Sequence, residues 1–476
     1  MKKRTAAFSV AGVVAVLVAA YVGSSWYVGQ QVERKIHALV RQYNQQAQLY
    51  LAGKPYTAQL VITDYRRGVF GSHVRYRLHL SGKDTDTTIR FVDRLVHGPL
   101  PYTEIKHGHL RPVLMASDTR LQLTPTQRDR LPQPADSNRP LAYAHTTLTF
   151  SGAGQSVWQI QPLHDSQDGL TFSGGTVKLM LPGSSGALQV VAMFANLHVD
   201  RPATMQHWQG FALQARVAQS EAGVITGAAA LSADTITSRS ALGLLSTTRD
   251  WSLQFDVERA GGRLDGAVDY RAGDLKLGPI DLGSMHLAAH VADVEVAAWR
   301  QLEAAIFDPD AVFSATESSA QRQLMTTFLA NCPVVAIDDF EWQAASGRTT
   351  ASMKLQLQPP APQQSDAAYG RFLGALRQAD IDVSLSRPMF AQLLSKYGLT
   401  LMTFGRDQGG LRDESVARIM DSMIRKLTQY GLARETDNNV QSNIHYQDHV
   451  MTLNGKELSL KEFAGRVFMT WLAFRQ

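Results

Sequence analysis

Few residues in this chain are of a type and spacing that could do chemistry. Histidine is the usual metal ligand and acid–base group, and His97, His107 and His109 fall within a short stretch. His107 and His109 are alternate positions, which share a face in a strand, but no acidic or sulfur ligands stand beside them to complete a metal set. That spacing reads as two histidines on a wet face, and no metal site is expected. Asp338-Asp339, and Asp380 with Asp382, could be paired carboxylates for general acid–base work. Adjacent strand residues face opposite sides, however, so exposed or turn positions account for these acids more simply. Cys332 is the only cysteine. Its apolar flanks, Leu329 and Pro333-Val334-Val335, predict a buried, inert thiol, and alone it can form no internal disulfide.

The motifs that carry hydrolytic or phosphate chemistry are missing: there is no G-x-S-x-G elbow, no H-E-x-x-H pair and no G-x-x-x-x-G-K-[ST] loop. The sequence therefore predicts no catalytic residue, no cofactor and no enzyme. Nucleic acid is not an expected partner either. The net charge is +5, from 47 basic against 42 acidic residues, without a basic stripe interleaved with stacking aromatics.

The strongest signal lies at the N-terminus. Lys2, Lys3 and Arg4 precede a run without charge from Thr5 to Val32, densely apolar from Ala6 to Val22. A bilayer's hydrocarbon layer needs about 20 residues of helix. Ala6, Leu17 and Val22 would lie in or beside that layer, and Trp26 and Tyr27 would mark the outer headgroup boundary. The leading cations hold the N-terminus in the cytoplasm, so the expected location is a bacterial inner membrane, crossed once, with the body in the periplasm. A cleavable signal peptide is the competing reading, through the small residues Val18-Ala19-Ala20, but the apolar run is longer than a typical signal core.

Elements follow from periodicity. Val32, Ile36, Leu39, Tyr43, Ala47 and Tyr50 recur at helical steps, predicting that the membrane helix continues as an amphipathic one until Gly53-Lys54-Pro55. That stripe packs either on the chain's own domain or on a second copy. Beyond Pro55 the period becomes two. Val74, Tyr76, Leu78 and Leu80 alternate with His73, Arg75, Arg77 and His79, and similar alternation recurs at 211–217, 251–257 and 351–357. Turn signals such as Gly261-Gly262, Ser346-Gly347 and Asn454-Gly455 separate the strands. Helices are predicted at 297–307, 318–330, 388–396 and 414–430.

The expected fold is mainly β within the α+β class: a transmembrane helix, then an elongated body of antiparallel sheet with several packed helices. Its expected divisions are a cytoplasmic tail (1–4), an anchor (5–28), a juxtamembrane helix (29–52), a β-rich body (53–357), a Pro/Gln-rich linker (358–370) and a C-terminal α+β part (371–476). Ala195–Val199, Ala292–Val296 and Ala379–Val383 hint at internal repeats in the body, and the proline-bearing stretch Thr124–Pro140 reads as a loop.

Three segments carry a family likeness. Tyr65-Arg66-Arg67-Gly68-Val69-Phe70-Gly71-Ser72, His97-Gly98-Pro99-Leu100 and Thr452-Leu453-Asn454-Gly455-Lys456, in this order behind an anchor, resemble the YdgA-like family of bacterial envelope proteins. The positions Tyr65, Arg67, Gly68, His97, Gly98, Pro99, Asn454 and Gly455 read first as structure, since the glycines permit tight turns and Asn-Gly suits a type I′ hairpin. The resemblance implies an inner-membrane protein of poorly defined function, with homo-oligomerisation among its expected properties, and supplies no catalytic residues. Together these features predict a non-enzymatic protein that binds a phospholipid-like ligand or another envelope protein. An oligomeric scaffold is the alternative, and an unrecognised periplasmic enzyme the third reading.

Overall fold

The computed structural model describes residues 2–475 apart from 53–55, 83–84, 107, 109, 131–132, 135, 137, 166–168, 184–185, 202–203, 220–223, 241–242, 308–325, 360–373, 393–412, 437 and 448–449, and the side chains of 2–20 lie outside the description. The chain forms two compact units, one of residues 1–199 and 210–229, the other of 200–209 and 230–476.

The first unit begins with α1 (Lys2–Leu51), an unbroken helix through the expected boundary at 28–29. Among the described residues no helix is long and apolar enough to cross a membrane; of the apolar run Ala6–Val22, the side chains up to residue 20 lie outside the description. From Tyr21 onward α1 packs on protein. Val28, Val32 and Ile36 are buried against Val74, Leu95, Leu114, Met115 and Leu148, with Ile62, Tyr65 and Tyr76 around them. The predicted stripe therefore packs on its own domain at Val32 and Ile36, but its phase then slips. Leu39 and Tyr43 are exposed, while Val40, Asn44 and Ala47 take the half-buried side. The four-residue step from Val32 to Ile36 continues to 40 and 44, which keeps the buried face over one strand.

That strand is β1 (Tyr56–Arg67). It opens a sheet continued by β2 (Gly71–Gly82), β3 (Thr85–His97), β4 (Met115–Gln122), β5 (Gln133–Pro134), β6 (Ala142–Leu148), β7 (Gly154–Ile160), β8 (Leu163–Asp165), β9 (Leu170–Phe172), β10 (Gly175–Leu181) and β11 (Leu188–Arg201). The spatial order is β1-β2-β3-β4-β6-β7-β10-β11, antiparallel throughout, with β9 continuing β10 along β11, β8 continuing β7 along β9, and β5 on β8. Among the described pairings β1 joins only β2, so it is an edge. Asn44 of α1 closes it: its amide nitrogen donates to Leu60 O and its oxygen accepts from Leu60 N, both at 2.8 Å. The short helices α2 (Tyr102–Lys106) and α3 (Pro125–Arg130) sit in connections. α3 and β5 correct the loop expected over 124–140. Thr124 and Gln127 form a reciprocal capping box, with Gln127 N donating to Thr124 Oγ1 at 3.2 Å and Thr124 N to Gln127 Oε1 at 3.0 Å.

β12 (Thr204–Gln219) and β13 (Ile225–Arg239) contribute to both units. The second unit then runs through β14 (Leu245–Ala260), β15 (Arg263–Leu277), β16 (Ile280–Glu295), α4 (Val296–Phe307), β17 (Val334–Ala344), β18 (Gly347–Leu357), β19 (Leu376–Ser386), α5 (Asp413–Gln429), β20 (Arg434–Glu435), β21 (Asn439–Gln447), β22 (Val450–Leu453), β23 (Lys456–Leu458) and α6 (Leu460–Arg475). The antiparallel order is β14-β15-β16-β17-β18-β19-β21-β22-β23, with β20 also on β21. Directly opposed residues share a face, so register turns sequence alternation into rows. One row reads Leu253, Tyr270, Leu287, Phe340, Ala351 and Val383; the next reads Phe255, Val268, Ala289, Ile337, Met353, Ile381 and Ile444. At the β18–β22 side this apolar face is buried with Leu460 and Phe463 of α6, whereas Phe255 is exposed and Leu253, Val268, Tyr270 and Leu287 are only half-buried.

The fold class is thus mostly antiparallel sheet with few helices. The predicted helices at 297–307 and 414–430 correspond to α4 and α5. Those at 318–330 and 388–396 are described only at 326–330, helical to 329, and at 388–392, the linker 358–370 only at 358–359, and the remainder of each lies outside the described residues. Of the suspected repeats, Ala292–Val296 runs straight into α4, Ala379–Val383 lies in β19 ahead of the helical 387–392, and Ala195–Val199 lies in β11 with no helix after it. Cys332 corrects its expectation: it is exposed, at φ 54°, in the turn leading to Pro333.

Candidate functional site

Six of the singled-out positions, Tyr65, Arg67, Gly68, His97, Gly98 and Pro99, converge on one place, the end of the β1–β4 sheet where α1 docks. Gly71 pairs with Val96 and His97 with Met115, which sets the β1–β2 turn beside the β3–β4 loop. Gly68 N donates to Gly71 O at 2.8 Å to close that turn, and Arg67 reaches α1 through an ion pair with Glu33 at 2.7 Å. Tyr65 lies against His37 of α1, ring centroids 5.9 Å apart, and burial pushes its hydroxyl pKa up. Above the loop, Ser25 Oγ donates to Gly98 O at 3.0 Å and Tyr21 Oη to Leu100 O at 2.9 Å. Gly98 precedes Pro99 through a cis peptide bond, and a Cβ on Gly98 would stand 1.9 Å from Val113 O.

His97 sits at the centre. Its Nδ1 lies 3.3 Å from Val69 O, which can only accept, so the Nδ1–H tautomer is assigned and Nε2 accepts from Ser72 Oγ at 2.9 Å. A serine hydroxyl on a histidine nitrogen is half of a hydrolase's machinery. Here both residues are 1% exposed, and a Cβ on Gly29 of α1 would stand 2.5 Å from the ring. The helix therefore lies directly on the pair, leaving no room for substrate, and the arrangement acts as a latch. Burial, with a smaller push from Arg67, lowers the His97 pKa.

A pH dependence follows from that direction. With the folded pKa below the unfolded value of about 6.5, the unfolded chain binds a proton that the folded one refuses, so His97 draws stability away as pH falls below about 6.5. Asp93, buried on β3 and raised to about 6 chiefly by burial, works in the opposite sense. The comparison therefore needs a variant. Between about pH 7.5 and about pH 5.5, the urea midpoint of the solubilised chain should fall further for wild type than for His97→Gln. Parallel slopes would show that the ring is not held neutral.

A second polar arrangement occupies the second unit, on the face opposite the apolar rows. A cavity of about 540 Å3 is lined by Asp338, Asp339, Asp382, Asn443 and Arg434, and by Asn454 and Gly455 of the β22–β23 hairpin. Asp338 and Asp339 share this lining, which corrects the expectation that adjacent acids face apart. The register shifts between Ala288 and Ala289 on β16, and between Ile337 and Phe340 on β17, mark a bulge at these residues. Each acid is held: Asp338 by His290 at 2.7 Å, Asp339 by His286 at 2.9 Å, and Asp382 by Asn443. His286 also meets Asp269 at 3.0 Å, and that bond leads in raising its pKa. Asn454, at φ 51°, and Gly455, at φ 76°, make the predicted hairpin turn, and Asn454 Oδ1 accepts from Asn443 N at 2.9 Å. These two positions therefore shape the cavity wall. Among the described residues no group of three or more His, Cys, Asp or Glu side chains could hold a metal ion; His107 and His109 lie outside them.

Residues 1–461 match the family described as "Bacterial protein of unknown function (DUF945)". The chain belongs to this family. A DUF945 assignment over nearly the whole length means that both arrangements, the α1 latch and the cavity, fall within the family's span. The chain is 23% identical to "Protein YdgA" of Escherichia coli over 510 residues, covering 96% of each. It is also 23% identical over 189 residues to the "Uncharacterized protein YihF" of Escherichia coli, covering 38% of this chain and 37% of that one. An uncharacterized protein of Haemophilus influenzae is 28% identical over 114 residues, which is 23% of this chain and 30% of the relative. No solved structure matches the chain.

Of the positions expected to form an anchor, Trp26 and Tyr27 are exposed on α1 and Val22 is half-buried; the side chains of Ala6 and Leu17 lie outside the description. Sequence reasoning passed over Ser25, Gly29 and Ser72, which complete the latch. Ser25 and Gly29 carried a signal, small residues four apart on a helix, the pattern of close approach by another backbone; Ser72, on β2, carried none. It also missed His145, which bridges Asp118 and the buried Glu104 at 2.9 Å each. Burial alone would lower the pKa of His145, but those carboxylates outweigh it and the net shift is upward.

Proposed function

We propose that this chain is a non-enzymatic, single-pass inner-membrane protein whose periplasmic β-rich body holds a lipid-like ligand along the apolar face of the β14–β17 sheet. The observation that carries the reading is the pair of rows through Leu253, Tyr270 and Leu287 and through Phe255, Val268 and Ala289, which stay half open among the described residues. A contiguous apolar surface of this kind is costly in water and matches an acyl chain. A body tethered beside a bilayer has that ligand at hand. Lys2, Lys3 and Arg4 ahead of the uncharged run support the cytoplasmic N-terminus. Native mass spectrometry of the detergent-extracted full chain should resolve species heavier by one phospholipid, and Phe255→Asp should deplete them. Apo mass alone would count against lipid binding.

A second reading, an oligomeric envelope scaffold, draws on Leu39 and Tyr43, exposed on α1 beyond its packed face. Crosslinking in membranes should then give dimers that Leu39→Glu with Tyr43→Glu removes. A monomer pattern in wild type rejects it. Ile36 cannot serve in that test because it is buried in the first unit's core.

A further inference from the structure

We propose that the sheet end where α1 docks is a membrane-seating rim, with Val69, Phe70 and the β3–β4 loop resting in the headgroup layer of the bilayer that α1 enters. The inference rests on the anchor reading and adds the height and footing of the body. Hydrogen bonds fix the level. Tyr21 stacks on Phe70 with centroids 6.0 Å apart and bonds Leu100 O, while Ser25 bonds Gly98 O, so the turn and the loop lie beside helix positions 21–25. Protein thus claims the helix from Tyr21 onward. Only residues 5–20 are left for lipid, roughly 16 residues or about 24 Å at 1.5 Å per residue, against a hydrocarbon layer of about 30 Å.

A span that falls short is accommodated by thinning the bilayer or by drawing its flanks inward. The flank here suits that position. Phe70 is 46% exposed and Leu110, in the β3–β4 loop, 70%, with Val69, Tyr102 and Ile105 exposed as well. In bulk water these side chains would form an unexplained apolar fringe at one end of the sheet. Lys106, 5.8 Å over the Tyr102 ring, and Arg111 add cations for lipid phosphates. Trp26 and Tyr27 stand about 7.5 to 9 Å further along α1 than Tyr21, at the outer edge of a headgroup layer of about 5 to 7 Å.

The test uses the full chain in vesicles of phosphatidylethanolamine and phosphatidylglycerol. In a Cys332→Ser background, single cysteines replace Phe70, Leu110 or Asp86, the last at the far end of the β2–β3 hairpin, roughly 35 Å away at about 3.4 Å per residue. Each carries an environment-sensitive fluorophore. Labels at 70 and 110 should be blue-shifted and quenched several-fold more strongly by headgroup-region spin-labelled lipid than the label at 86. If the chain resists alkaline carbonate extraction while all three labels report water, the rim is overturned and the anchor stands. If carbonate strips the chain from the vesicles, the anchor reading falls and the rim with it.

Discussion

Replacing Val32 with aspartate should cost more stability than any other single change on α1, on the order of 4 kcal/mol or more. Val32 is 0% exposed, in the middle of the cluster that joins α1 to β2, β3, β4 and β6. A carboxylate there finds no cationic partner in that cluster, so it must either stay charged in an apolar site or take up a proton at a cost. The comparison is Leu39→Asp, seven residues along the same helix and 49% exposed, which should change stability by no more than about 0.5 kcal/mol. Urea unfolding of the solubilised chain, followed by tryptophan fluorescence and limited proteolysis of the first unit, measures both. Equal losses would mean that α1 does not pack as described.

Gly98→Ala should be the most damaging conservative change in the β3–β4 loop, at about 2 to 3 kcal/mol. The new methyl would lie 1.9 Å from Val113 O and 3.0 Å from Leu114 O, both backbone atoms that cannot swing aside as a side chain can. Gly98 is also fixed from both directions, its N donating to Leu114 O at 2.8 Å and its O accepting from Ser25. Relieving the clash therefore loosens α1. Gly23→Ala, on the same helix with nothing within 4 Å of the added carbon, should be neutral or stabilising by about 0.5 to 1 kcal/mol. Thermal unfolding of the two variants side by side separates close packing from a general intolerance of substitution.

Much of the fold was legible because strand alternation is a direct record of burial. Val74 to Leu80 and Trp251 to Val257 fall in β2 and β14, and Asn454-Gly455 turns as its residue types require. What could not be read was register. Asp338 and Asp339 looked as though they faced apart because period two was assumed unbroken, and a bulge reverses that rule at the residues where it mattered. The stripe on α1 was recognisable as helical, but whether its second half followed Leu39 and Tyr43 or Val40 and Asn44 depended on where β1 lay. Cys332 was misplaced for a related reason: apolar neighbours predict a buried segment, and a left-handed turn carries one residue out of it. The motif around His97 could be located in the sequence, but its purpose lay in Ser25, Gly29 and Ser72, and only the fold brings those residues to it.

The paired hydrogen bonds from Asn44 to Leu60 have a consequence for biogenesis. Until α1 lies along β1, that strand offers an open row of amides and carbonyls to any passing chain. The helix is made first and the strand directly after it, so α1 also acts as an internal chaperone for the edge that it covers. Copies that lose the helix should fail by strand exchange and fibrillar clumping before they fail by melting.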